Sequence, residues 1–191
     1  MSKKAFISIF ATLFAVTGLT IATTQSSLAQ DHELISFRCE PNFIHPVTKA
    51  RTPATIARGP IGEIPVLYWT SSLDRITPEE RCYMVSYRFD RLQKAGSLKY
   101  ITHGYKNGQP IICTANYPGG NCVEQLFTLR HQDNPQKVLQ ELLGVRNFST
   151  SALRMAGAIQ RINNNWYIDI SLFIDYRIGE LQKENLLNPS E

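Results

Sequence analysis

The chain predicts an α+β domain, with a mainly antiparallel sheet and two helices packed on one face. Three observations carry that class. Strand-like runs outnumber helical ones, they follow one another through short turns rich in Gly, Pro and Asn, and each helical run shows one apolar stripe.

In chain order, ELISFRCE (33–40) alternates, with Ile35, Phe37 and Cys39 on one face, as a half-buried strand does. PATIARG and EIPVLYWTS, near 53–59 and 63–71, read as two further strands around a Gly/Pro turn. TPEERCYMVSYRFDRLQKAG then predicts a helix. Thr77 suits the N-cap, Pro78 the first helical position, and Glu80 completes a capping box. Gly96 can close the helix in the left-handed conformation. Cys82, Val85, Phe89 and Leu92 fall at helical spacing and form its core-facing stripe. That places Cys82 inward, where burial raises a thiol pKa and disfavours a nucleophile.

YITHGYKNGQPIICTA (100–115) contains Asn107-Gly108 between strand-like runs, a strong hairpin signal. YPGGN (117–121) turns the chain again, and LFTLR (126–130) reads as the next strand. Asn134-Pro135 starts a second helix bearing Val138, Leu139, Leu142 and Leu143, which Gly144 ends. WYIDISLFIDYR (166–177) alternates throughout and predicts a long strand, entered through Asn163-Asn164-Asn165 from a weaker strand near 154–162.

The ends read differently. Lys3 and Lys4 precede an apolar run from Ala5 to Ala22, and Ser27-Leu28-Ala29 puts small residues before a cleavage point at Gln30. Residues 1–29 therefore predict a secretory signal peptide, 30–182 a single domain and 183–191 a frayed polar tail. An uncleaved anchor is the rival. The 20 basic and 16 acidic side chains are near balance once the two leader lysines are set aside. Nothing resembles the dense positive field of a nucleic-acid binder. All four cysteines, Cys39, Cys82, Cys113 and Cys122, lie beyond the leader, and an even count in an oxidising compartment predicts two disulfides. Counting leaves three connectivities open. Cys113 and Cys122 flank a turn-rich loop suited to a local staple, and Cys39–Cys82 would join an inward strand position to an inward helix position.

A search for chemistry yields no catalytic residue, metal ligand set or cofactor motif. No C-x-x-C, G-x-S-x-G or phosphate-binding glycine loop is present, and His32, His45, His103 and His131 are scattered. As strand residues Asp169 and Asp175 would stand about 20 Å apart, too far for a glycosidase pair. Asn147-Phe148-Ser149 matches a glycosylation acceptor.

The ordered set FRC (37–39), PATIAR (53–58), PVLYWTS (65–71), RCYMVSYRF (81–89), YITHGYKNGQPIIC (100–113), GGNC (119–122), LFTL (126–129) and NPQKVLQELLGVR (134–146) resembles the cyanobacterial circadian oscillating polypeptide family. The resemblance fades after Ser149. It implies an exported, rhythmically expressed protein associated peripherally with a membrane, and it brings no reaction or catalytic residue with it.

The expected function is thus an exported, disulfide-stapled, non-catalytic binding protein, with a membrane surface or a membrane-associated protein as partner and no nucleic acid. The outer face of the first helix offers the surface: Tyr83, Tyr87, Arg88, Arg91 and Lys94, with Met84 alongside. The alternatives are a secreted hydrolase near His103, Asn116 and the 113–122 loop, or a secreted inhibitor presenting that loop.

Overall fold

The structure, a computed structural model, describes residues 35–60, 62–144 and 156–187. The leader at 1–29, the last residues of the tail and Asn147-Phe148-Ser149 lie outside them.

Among the described residues two antiparallel sheets and three helices make an α+β fold. β1 (Ser36–Ile44), β2 (Arg51–Gly59) and β3 (Gly62–Tyr68) form a meander. α1 (Pro78–Lys94) leads to the second sheet, whose strands are β4 (Tyr100–Lys106), β5 (Gln109–Ala115), β6 (Gln125–Thr128), β7 (Ile159–Ile162) and β8 (Asn165–Asp169). Their spatial order is β6-β5-β4-β8-β7. α2 (Pro135–Leu142) follows β6, and α3 (Ile170–Leu187) follows β8 without a break. The expected α+β class with mainly antiparallel sheet holds; among the described residues the strands fall into two sheets and the helices number three, where the sequence predicts one sheet and two helices.

Local chemistry explains the boundaries. The register of β1 shifts between Glu40 and Phe43, the stretch holding Pro41, which has no N–H for the ladder. Asn107 and Gly108 turn β4 into β5 at φ of 52° and 76°, the left-handed pair that a two-residue hairpin requires. At α1 the capping box is closed in both directions: Glu80 N–H donates to the Thr77 hydroxyl, and Thr77 N–H donates to the Glu80 carboxylate at 2.8 Å.

One core joins all of this. Cys82, Val85, Phe89 and Leu92 of α1 are fully buried, and Phe89 meets Phe37 of β1 edge to face at 5.3 Å. Trp69, just past β3, meets Phe127 of β6 at the same distance and so links the two sheets. Its indole N–H donates to the Thr55 hydroxyl at 3.0 Å, and Ser86 of α1 donates to the same oxygen at 2.9 Å. These buried polar groups are satisfied by one another.

The run at 166–177 is not one strand. It pairs with β4 and β7 only as far as Asp169, then turns helical. The same residues satisfy both periods. Read at helical spacing, Ile170, Phe173, Ile174 and Ile178 share a face, and the first three are fully buried. Leu172, which strict alternation would put with Ile170, is exposed. The Asp169 carboxylate accepts the Leu172 N–H at 3.1 Å and caps the new helix. The 20 Å separation of Asp169 and Asp175 thus loses its basis, since most of that interval is helix. α3 runs on to Leu187, through the first residues of the polar tail.

Candidate functional site

On the outer side of α1, Tyr83 and Tyr87 are 52% and 70% exposed, with Met84 exposed beside them. The cations of this face are already engaged. Arg88 is half-buried and donates to the Leu126 carbonyl on β6. Arg91 reaches Glu124 at 3.7 Å, and Lys94 pairs with Asp90 at 2.6 Å. Two of the three cations are thus paired with acids and the third is tied to a backbone carbonyl, beside exposed aromatic rings.

Two disulfides frame the fold. Cys39–Cys82 fastens β1 to α1, and Cys113–Cys122 fastens β5 to the loop that follows it; no free cysteine remains. In the chain-entropy account the longer closure contributes about 4 kcal/mol and the shorter about 2.7 kcal/mol. Cys82 thus carries no nucleophile.

The 116–124 loop does not project. It folds back across one face of the second sheet. Cys122 lies against Gly104 of β4, the Gly120 carbonyl accepts the Tyr167 hydroxyl of β8 at 3.0 Å, and Gly119 approaches Ile162 of β7. A lone rigid loop of the kind an inhibitor would present is absent here.

His103 pairs in register with Ile112, while Gly104 next to it faces Cys122. Strand alternation therefore puts His103 and the stapled loop on opposite faces. Burial lowers the His103 pKa, and its Nε2 has no hydrogen-bond partner among the described residues. Asn116 is exposed on the loop side. The structure does not bring the pieces of that hydrolase together. Among the described residues no three His, Cys, Asp or Glu are grouped to hold a metal ion, and no helix is long and apolar enough to cross a membrane.

The structure does gather a site around Arg81. Only 9% of this residue is exposed. Its guanidinium lies 5.1 Å from the Trp69 ring and 5.7 Å from the Phe127 ring, and it donates to the Ser71 carbonyl at 3.0 Å. It forms part of the wall of a cavity of about 330 Å³ between the end of β3, the β6–α2 connection and α2. Burial lowers the Arg81 pKa, Asp133 opposes that shift, and Arg130 adds to it. A signal for Arg81 existed in the sequence. It stands four residues before Val85, on the same stripe as Val85 and Phe89.

A family model described as circadian oscillating protein COP23 matches residues 36–175. The match continues past Ser149, through β7 and β8 and into α3. No curated protein and no solved structure matches the chain.

Proposed function

The chain belongs to the circadian oscillating protein COP23 family, and on that premise we propose that it is an exported, non-catalytic binding protein held peripherally at the outer face of a membrane. One observation carries the membrane contact. α1 is fixed to β1 by the Cys39–Cys82 bridge and turns Tyr83, Met84 and Tyr87 outward together. Tyrosine suits the membrane–water boundary, because its ring is apolar and its hydroxyl stays wet. The two closed disulfides support an oxidising compartment, and the leader read at 1–29 supports the route to it. A binding role is supported by Cys82 being bridged and by His103 Nε2 having no hydrogen-bond partner among the described residues.

The test is fractionation of cells that make the protein, with intact mass measured on what is recovered. The expected result is a chain beginning at Gln30 with both bridges closed, sedimenting with membranes and released by alkaline carbonate without detergent. A chain that retains its leader and needs detergent would mean an anchor instead. A cytosolic chain with free thiols would overturn export.

A further inference from the structure

We propose that the cavity beside Arg81 binds a small organic carboxylate, with its charged end on the Arg81 guanidinium. This site is separate from the aromatic face of α1, and it stands or falls independently of the membrane contact.

The first ground is the state of Arg81. A buried cation is ordinarily paired with an acid, since removing its hydration is costly. Arg81 is buried, yet among the described residues it forms no salt bridge and hydrogen-bonds one carbonyl, that of Ser71. The Trp69 and Phe127 rings offset part of the cost through their π-faces. Stacking does not occupy the in-plane N–H donors; a guanidinium has five, and the bond to Ser71 uses one of them. Arg81 lines the cavity, where the donors that Ser71 does not take can meet a ligand. A planar carboxylate is the group that matches such a fork.

The second ground is the charge of the walls. Arg81, Arg130 and Lys137 line the cavity together with Asp133 and Glu141. Arg130 is committed to Asp133 at 3.1 Å. One positive charge is left over, which fits a monoanion better than a phosphate dianion. The third ground is size: a volume of about 330 Å³ falls at the lower end of small-molecule sites.

The experiment uses the full chain with both disulfides closed and follows the arginine side-chain resonances by NMR during titration with sodium hexanoate. Inorganic phosphate and hexylammonium chloride serve as comparators. Hexanoate is expected to shift the Arg81 resonance saturably, and the comparators are not. Arg81→Met should weaken hexanoate binding by roughly tenfold or more, the loss of a charge-assisted hydrogen-bonded pair. Lys137 is exposed, so Lys137→Glu should fold normally and reverse the surplus charge, again weakening binding by roughly tenfold. If Arg81→Met does not fold, Lys137→Glu decides. No saturable shift at Arg81, phosphate binding as tightly as hexanoate, or a folded variant binding like the wild type would each overturn the proposal.

Discussion

Gly104 and Cys122 share one place on the second sheet: a Cβ added to Gly104 would stand 2.6 Å from the Cys122 sulfur. The glycine is needed for space, because its φ is not in the left-handed region. Gly104→Ala should therefore destabilise the chain by about 1–3 kcal/mol, the usual cost of overpacking. Removing the sulfur should remove most of that penalty. Thermal unfolding of Gly104→Ala, of Cys113→Ala/Cys122→Ala and of the triple variant measures the coupling. Strict additivity of the two changes would show that the loop does not lie where the structure puts it.

The cap on α3 makes a second prediction. Asp169→Ala removes the acceptor for the Leu172 N–H and should cost about 1 kcal/mol. Asp169→Asn, which keeps a capping oxygen, should lose far less. Urea midpoints of the two variants compare them. Equal losses would deny Asp169 a capping role.

His103 gives the chain a pH dependence whose sign is fixed. Burial lowers its pKa in the folded chain below the ordinary 6.5, so the unfolded chain binds a proton first as pH falls. The stability this group contributes is fully present above the unfolded value and is lost as pH drops from about 6.5 through the folded value. His103→Leu should flatten that part of the acid limb. Urea midpoints across the range for wild type and variant test it, and an unchanged slope would mean the imidazole is solvated.

The proposed membrane contact predicts which side chains matter. Tyr83→Ser/Tyr87→Ser should weaken partitioning to anionic vesicles by roughly tenfold, through lost apolar burial. Arg91→Ala/Glu124→Ala, which removes a cation together with its acid and keeps the net charge, should change it little. Co-sedimentation at low and high salt distinguishes the two. A larger loss from the ion-pair variant than from the tyrosines would remove the role given to the rings.

What could be read from the residues beforehand follows a physical division. The Thr77–Glu80 box and the Asn107-Gly108 turn are legible because each is fixed by a few adjacent residues. The run from Trp166 to Arg177 is not, because its apolar positions satisfy both a strand and a helix. The choice rests on Asp169 and on what Phe173 finds to pack against. The tenancy of Gly104 by a sulfur eighteen residues later depends on tertiary packing alone. Arg81 is intermediate: its stripe position was visible, but the Trp69 and Phe127 rings that accept its burial come from distant segments.

The hydrogen bond from Arg88 to the Leu126 carbonyl has a consequence for the company this protein keeps with its own copies. Among the described residues β6 is an outer strand of the five-stranded sheet, and outer strands offer open backbone groups to any neighbouring chain. Here a guanidinium occupies one of those carbonyls, and Arg91 bound to Glu124 closes the approach from the same side. A strand from another molecule would have to dislodge both before it could add to the sheet. The helix that turns its tyrosines outward thus also stands in the way of strand addition at this one margin.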